Sequence, residues 1–463
     1  MANFEIANRV VARLDPLPPR VPNYPMSEPH PKAMGPWMAT ALVMGLMIGS
    51  GVFLLPAQLA PFGWNAVGAW ALSIIGVMAL ALTIARLTVA VPDADGPIGF
   101  VSAAFGAVPG FLIGWSYWIS CVVASVTLCV AAVSYLSIFA PQLGSIPYLP
   151  AALSVLLLWA VTLINMYSAR AIGGFQMITM AVKLLPLLLV IVILAGLIGT
   201  QGKAALAPFP AAGFSFSEVS SAATLTLWAL IGFEVASTAA ARVDRPEINI
   251  PRATLWGSGL TGLLYIIVCS GIALTLPMAL VAHSDAPFAA FVEHFWAREP
   301  SLFIALFAAI AAIGTINANN VPIGEFPAVM AKRGTLPRWL GEMAANGMPV
   351  RALVVASALA TVFLLSNGSK TMGDLFAFLA KLSTCAALWL YLGCAFAALR
   401  LNIARPFAAI GAVYSLWALW GAGLDLSGLS FLLMAAGMPL YWWAQREGAA
   451  KSQREVAQAA LHP

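Results

Sequence analysis

The chain has 463 residues, of which 61% are hydrophobic and only 9% are charged, and its net charge is +5. This composition is typical of a polytopic membrane protein and argues against a soluble enzyme. The basic residues are spread over short loops, so the basic balance does not indicate nucleic-acid binding. We expect neither a nucleic-acid partner nor a cleaved signal peptide.

Apolar runs of the length needed to cross a bilayer predict an all-α fold with about twelve transmembrane helices. The five cysteines fall inside these runs, and we expect them to pack as small apolar residues rather than to pair or bind a metal. The predicted spans are 37–60, 65–90, 108–138, 147–165, 173–199, 216–241, 252–277, 300–330, 350–366, 373–399, 405–421 and 427–444.

The charges between the spans predict how the chain sits in the membrane. With both termini on one side, nearly all Lys and Arg residues outside the spans share that side, and only Lys203, Arg298 and Lys370 lie opposite. The positive-inside rule therefore predicts cytoplasmic termini in a bacterial-type inner membrane. Residues 1–34 and 447–463 are predicted to be cytoplasmic tails.

The first span contains residues that disfavour an uninterrupted helix, with Gly49, Ser50 and Gly51 at its middle and Pro56 further on. Glycine lowers helix stability, and a freed N–H group in hydrocarbon is costly unless something polar takes it up. A carboxylate held by the N–H groups at the start of a second half-helix would do so. The alternative is a glycine face that lets two helices pack closely.

The sixth span repeats this pattern, with Gly232 and Glu234 near its middle. Interrupted first and sixth spans predict two five-helix halves of inverted topology, with substrate bound at mid-membrane between discontinuous helices. The predicted halves are 35–199 and 216–399, and residues 400–446 add two spans outside the repeat. The repeat favours the binding-site interpretation of the first span.

Several stretches resemble a known superfamily, the amino acid–polyamine–organocation transporters: IGSGVFLLPA, NMYSARAIGGFQ, AVKLLPL, LWALIGFEVAS and DRPEINIPRAT. The nearest likeness is to the basic amino acid/polyamine antiporter group, which includes the bacterial arginine/agmatine antiporter. The resemblance runs from about Met34 to Arg446. It implies five plus five inverted helices with two extra, alternating access and a possible homodimer, and we expect no cofactor.

The resemblance also implies roles for individual residues. The first-span turn matches the segment that holds the substrate carboxylate, carbonyls at the two breaks match those that receive the ammonium, and third-span residues match the wall around the substrate side chain. In the same order, these three sets are Gly49, Ser50 and Gly51 for the carboxylate; Met47, Trp228 and Ile231 for the ammonium; and Tyr117, Ser120, Cys121, Ser125 and Leu128 for the side-chain wall. Trp228 also resembles an aromatic gate, although core packing is the alternative.

Two departures from the arginine exchangers of this group affect the expected substrate. Their eighth-span tryptophan is replaced by Asn319, and a small tenth-span hydroxyl residue aligns with Ala380, beside Lys381. An ammonium near the side-chain pocket would repel a cationic substrate. We therefore expect a neutral, or else acidic, amino acid. The alternative is a cationic amino acid or amine exchanger, such as an arginine/agmatine or polyamine antiporter.

Three charged residues inside the spans are candidates for gating or coupling. Glu234 is interpreted as a gating switch or as a structural partner of Lys381. Lys381 is interpreted as a charge on the substrate pathway, and the alternative is that it faces another helix. The resemblance implies that the Lys183 ammonium replaces the Na⁺ of sodium-driven relatives, clamps the first span to the eighth and makes transport sodium-independent. The alternative is a structural lysine. Asp93 and Asp95 are expected to form a turn.

Other function classes lack their required residues in the sequence. An intramembrane enzyme needs a nucleophile with a base, and we find no paired aspartates, no GxSG with a partnered histidine and no HExxH. A channel needs a ring-forming filter or a charged pore helix. We therefore expect a secondary transporter rather than an enzyme, with a small amino acid and the lipid bilayer as its partners.

Overall fold

The computed structural model describes residues 35–49, 51–92, 94, 96–140, 146, 148–167, 169–234, 243–344 and 347–448. Of residues 42, 46, 167 and 169–181 it describes the backbone only. Most of both predicted tails, together with Ser50, Asp93 and Asp95, therefore lies outside the described residues.

Within the described residues the protein is helical and contains no β-strand, which confirms the predicted all-α membrane fold. Eight helical segments of this part are long and apolar enough to cross a bilayer, and shorter apolar helices accompany them. The helices are α1 Pro36–Met47, α2 Gly51–Leu59, α3 Trp64–Ala90, α4 Gly96–Phe105, α5 Ala107–Leu136, α6 Leu149–Tyr167, α7 Ala169–Gln201, α8 Phe216–Leu230, α9 Pro246–Thr275, α10 Met278–Val281, α11 Pro287–Phe295, α12 Arg298–Lys332, α13 Arg338–Gly341, α14 Val350–Ser366, α15 Met372–Arg400, α16 Arg405–Gly421, α17 Leu424–Ala435 and α18 438–448.

The first span is broken where the sequence predicts it. Helix α1 ends at Met47 and α2 begins at Gly51, while Ile48 has a non-helical ψ of 84°. The Gly49 N–H turns back to the Met47 carbonyl at 2.7 Å instead of continuing the helical ladder. The chain therefore crosses the middle of this span as a non-helical segment.

The sixth span is broken in the same way. Helix α8 ends at Leu230, and Ile231 is extended, with ψ of 145°. Gly232 has φ of +117°, a conformation that favours glycine because a Cβ atom would strain it. A short 3₁₀ turn at 233–234 follows, and residues 235–242 are not described. Both predicted breaks are thus confirmed on the side that the structure describes.

Helix packing shows the predicted repeat. Helix α3 packs on α8 just as α9 packs on α1, and α5 packs on α15 just as α12 packs on α7. Spans one to five correspond to spans six to ten in the repeat. When each span is replaced by its counterpart, each of these packed pairs becomes the other pair named with it. Three further packed pairs each join a helix to its own counterpart in the other half, namely α5–α12, α3–α9 and α6–α14. Because each half has an odd number of spans, the second half lies inverted relative to the first.

Four short loop helices, α4, α10, α11 and α13, were not predicted from the sequence. The Arg400 guanidinium lies 5.3 Å from the Phe105 ring centre, and the Gln445 amide donates to the Gly334 carbonyl at 3.0 Å. These contacts place α4 and the ends of α12, α15 and α18 on one face, here called the near side; the opposite face is the far side.

The twelfth span is also interrupted, at a turn that the sequence did not predict, but for a packing reason. A Cβ atom on Gly437 would lie 2.5 Å from the Trp115 ring, so only glycine fits there. The Trp115 indole donates to the Leu433 carbonyl at 3.0 Å. The close-packing interpretation of a membrane glycine therefore applies to Gly437.

Candidate functional site

A cavity of about 320 Å³ lies between the two breaks, enclosed by residues of α1, α2, α5, α8 and α12. Most of the residues singled out from the sequence meet here. Those that line the cavity are Met47, Gly49, Gly51, Tyr117, Leu128, Trp228, Ile231, Glu234 and Asn319. The cavity extends from the breaks towards Pro97 of α4 and Glu325 of α12, on the near side.

The first break forms one wall of the cavity without any charged side chain. A Cβ atom on Gly49 would lie 3.1 Å from Thr315, and one on Gly51 would lie 3.2 Å from the Trp228 ring. The glycines therefore let the backbone approach both neighbours closely. The Met47 carbonyl, expected to receive an ammonium, accepts a hydrogen bond from the Tyr265 hydroxyl at 3.0 Å. Together with the bond from the Gly49 N–H, this occupies both lone pairs of the Met47 carbonyl oxygen, so the expected ammonium contact would need this carbonyl to be released first.

The Trp228 side chain is 8% exposed and forms a second wall. Its ring stacks on Phe376 of α15, with 6.4 Å between ring centres and an interplanar angle of 18°. Its indole N–H is buried and has no acceptor among the described residues. An aromatic face with an unused donor beside a cavity can contact both the stem and the polar end of a ligand.

The second break carries a carboxylate that is bound on both oxygens. Glu234 is 4% exposed. The Tyr117 hydroxyl donates to Oε1, the Tyr391 hydroxyl donates to Oε2 at 2.8 Å, and the Gly232 N–H donates to Oε2 at 3.2 Å. Glu234 thereby connects α5 and α15 to the broken sixth span. Among the described residues, the side chains that donate to Glu234 are the two tyrosines and not Lys381.

Helix α12 forms the third wall with one face, at Thr315, Asn319, Pro322 and Glu325. The intervals of three to four residues follow the helical repeat. The Asn319 amide donates to the Cys121 carbonyl at 2.7 Å and to the Ser125 hydroxyl at 2.8 Å. Sequence reasoning identified Asn319 but missed Glu325. The signal was available, because Glu325 follows Thr315 and Asn319 on the same helical face.

Three predicted third-span residues do not line the cavity. Ser120 donates to the Ser383 carbonyl of α15 at 2.8 Å, so its hydroxyl joins two helices. Cys121 and Ser125 lie behind Asn319 and accept its amide hydrogens. Direct substrate contact by these side chains stays a prediction, and the geometry supports a role in positioning instead.

The two intramembrane lysines also lie away from the cavity lining. Lys183 is 1% exposed on α7, which packs against α12, and makes no hydrogen bond or ion pair with any described residue. Lys381 lies next to Cys385 on α15. Within the described residues Lys381 has no carboxylate partner. The premise that its ammonium borders the side-chain pocket is therefore not supported.

A second, more polar cavity of about 1070 Å³ opens on the far side. Its residues include Gln58, Asp285 and Asp374. Between the two cavities the Phe53 ring packs edge-on against Tyr135 and Phe288. The Tyr135 hydroxyl donates to the Phe53 carbonyl at 2.8 Å and accepts from the Phe288 N–H at 3.3 Å. These contacts hold α2, α5 and α11 together.

Comparison with known proteins gives consistent matches over most of the chain. A family model described as amino acid permease matches residues 34–451. The cadaverine/lysine antiporter of Escherichia coli K12 is 30% identical over 364 residues, 74% of this chain and 78% of that protein. The putative arginine/ornithine antiporter of Bacillus subtilis 168 is 31% identical over 80% of this chain and 85% of that protein. The putrescine transporter PotE of Escherichia coli K12 is 26% identical over 90% and 97%.

Proposed function

The chain belongs to the amino acid permease family, and from this premise we propose that it exchanges cationic amino acids and amines across the membrane by alternating access. The observation that carries the proposal is the charge of the central cavity. Both charged residues lining it, among those described, are carboxylates, Glu234 and Glu325. Carboxylates in the lining favour a positively charged ligand, and the relatives named for cationic substrates agree with this.

This proposal corrects the substrate expected from the sequence. A neutral amino acid was expected because Lys381 aligns beside the side-chain pocket, but Lys381 does not line the cavity. Relatives named for lysine, cadaverine, arginine, ornithine and putrescine fit the cationic alternative better. The expected repulsion of cations therefore has no source among the described residues of the cavity.

The zwitterionic end of the substrate is assigned to the breaks. N–H groups at the start of α2, from Gly51 onward, would hold the carboxylate, since a helix N-terminus favours an anion. The Ile231 carbonyl would receive the α-ammonium, because the Met47 carbonyl already accepts hydrogen bonds from Gly49 and Tyr265. Ser50, between the two glycines, is assigned the family role of carboxylate contact, although it lies outside the described residues. A diamine, which lacks the carboxylate, would use the carbonyls and carboxylates instead.

Alternating access is assigned to two sets of contacts on opposite sides of this site. The rings of Phe53, Tyr135 and Phe288 close the far side. Glu234, with Tyr117 and Tyr391, ties the sixth span to α5 and α15 on the near side. Substrate binding would rearrange the broken spans and loosen one set while the other holds, as discontinuous helices allow.

We further propose that transport is sodium-independent, because Lys183 supplies a fixed cation next to α12. The protein is an integral membrane protein, and we assign it to a bacterial inner membrane with cytoplasmic termini. On this assignment the near side is cytoplasmic, in agreement with the distribution of basic loops. A homodimer remains a prediction from the family resemblance.

Counterflow in proteoliposomes tests the proposal. Purified protein would be reconstituted into vesicles loaded with lysine, and uptake of labelled lysine, cadaverine, ornithine, arginine, putrescine and norleucine would be measured. We expect saturable uptake of cationic probes that depends on internal lysine and is unchanged when Na⁺ is replaced by K⁺. Faster exchange of norleucine than of any cationic probe would refute the cationic assignment.

A further inference from the structure

The orientation of the Asn319 amide is fixed by its partners. One hydrogen-bonded atom is the Cys121 carbonyl oxygen, which can only accept, so the amide nitrogen and not the amide oxygen must face it. The second amide hydrogen goes to the Ser125 hydroxyl. Both donors of Asn319 are therefore used against α5, behind the cavity wall.

The Asn319 oxygen Oδ1 is left as an acceptor at the cavity. Asn319 lines the cavity and is partly exposed, and no described residue donates to Oδ1. An amide oxygen can accept two hydrogen bonds, and leaving it dry and unpaired costs free energy. The wall thus presents an acceptor and no donor at this position.

A proline adds a second acceptor on the same wall. Pro322 has no N–H, so the Ala318 carbonyl lacks the donor that residue i+4 normally provides, and both residues line the cavity. At the comparable position before Pro327, the Ile323 carbonyl accepts from the Trp118 indole at 3.0 Å. Before Pro56, the Val52 carbonyl accepts from the Cys269 thiol at 3.8 Å. No described side chain donates to the Ala318 carbonyl.

We propose that Asn319 Oδ1 and the Ala318 carbonyl form an acceptor-only subsite that reads N–H groups at the distal end of the substrate. This inference rests on the proposed function and specifies its ligand, an amino acid or amine with a protonated distal nitrogen. Substrate side chains that end in a carboxylate are rejected, because their acceptor oxygens would face the acceptor oxygens of the subsite. Asn319 is a specificity-determining residue whose orientation is held by Ser125.

The position of the subsite suits a short aliphatic stem. Thr315 touches Gly49 of the first break, and Asn319 lies four residues further along α12. Four residues of α-helix advance about 6 Å. A ligand with its α-amino end at the break therefore places a nitrogen several carbons away near Oδ1. No aromatic residue stands at position 319 to cover that stem.

The test compares lysine with norleucine, which has a similar stem without the ammonium. Competition by each against labelled substrate would be measured in proteoliposomes for the intact protein, Asn319→Leu and the smaller Asn319→Ala. Asn367→Leu is the matched control, because Asn367 lies at the end of α14 and donates to its own helix. Losing a hydrogen bond to a charged group predicts about a tenfold fall in the lysine-to-norleucine preference in both Asn319 variants.

The possible results of this test distinguish failure of the subsite inference from failure of the proposed cationic exchange. A reduced preference with unchanged norleucine inhibition supports the subsite, provided that Asn367→Leu keeps the original preference. An unchanged preference in either folded Asn319 variant overturns the inference and leaves cationic exchange standing. If the intact protein exchanges none of the cationic probes, the proposed function fails and the subsite fails with it.

Discussion

The two broken spans occupy equivalent places in the repeat, yet they are built for different tasks. The first break consists of small or apolar residues, and its described backbone lies against Thr315 and Trp228 with no charged group. The second break carries Glu234, whose two oxygens accept three hydrogen bonds from within the protein. The first break has no acidic side chain of its own at the cavity, whereas the second break is occupied by the Glu234 side chain.

This difference shows how a duplicated feature can be divided between binding and control. Unwinding exposes peptide N–H and C=O groups in both spans, and these must be satisfied in a membrane interior. On the proposed function a ligand satisfies part of these groups in the first span, so that break depends on occupancy. In the sixth span an internal carboxylate ties the break to α5 and α15, so that break depends on the positions of these helices. The following variants test this division in order of decreasing effect.

Filling the first break should have the largest effect. In Gly51→Leu the new side chain meets the Trp228 ring, which a Cβ atom alone would approach to 3.2 Å. We expect exchange to be abolished, because the backbone and the ring can no longer enclose a ligand together. Counterflow measures the loss. Gly196→Leu on α7 is the control, since no atom lies near that glycine, and comparable activity of the two variants would refute the binding role of the first break.

Loosening the second break should have an intermediate effect. Tyr391→Phe removes one donor to Glu234 at 2.8 Å. Hydrogen bonds to charged groups contribute about 1.5–3 kcal/mol, so we expect a lower thermal midpoint and slower exchange with little change in substrate affinity. Tyr414→Phe is the matched control because its hydroxyl binds the neutral Ser73 at 2.9 Å, away from both breaks. Equal exchange rates in the two variants would argue against a gating role for Glu234.

Neutralising the near-side carboxylate of the cavity should have a smaller effect. In Glu325→Gln we expect about a fivefold higher half-saturation concentration for lysine, since a charged cavity raises the local concentration of its counter-ion. The difference should shrink at high ionic strength. Glu342→Gln removes an exposed near-side carboxylate that pairs with Arg351, and it should leave this concentration unchanged. An identical value in both variants would remove Glu325 from the cation-selective cavity.

Replacing Lys381 should hardly change substrate preference. We expect the ratio of lysine to norleucine exchange in Lys381→Met to stay within about twofold of the original ratio, because Lys381 does not line the cavity. Paired counterflow assays with the two labelled amino acids measure it. A strong shift towards lysine would restore the first interpretation, in which this ammonium repels cations.

Sequence reasoning placed both breaks correctly because glycine clusters inside apolar spans leave a strong signal. It could not give the direction of Lys381, since neighbouring helical residues point about 100° apart and only Ala380 was aligned. Glu325 was missed, although it follows Thr315 and Asn319 on one helical face. The bonds between Asn319 and α5 could not be predicted, as they join residues nearly two hundred positions apart.

The Tyr135 hydroxyl has a consequence for the speed of the transport cycle. It holds the α2 backbone at Phe53 and the α11 backbone at Phe288 through a single oxygen atom. If the proposed alternating access parts α11 from α2 on the far side, at least one of these two bonds has to break. On that proposal the barrier between the two open forms includes a contribution from a phenol that does not line the central cavity. Turnover number and affinity would then be separable, and selection could adjust one without altering the other.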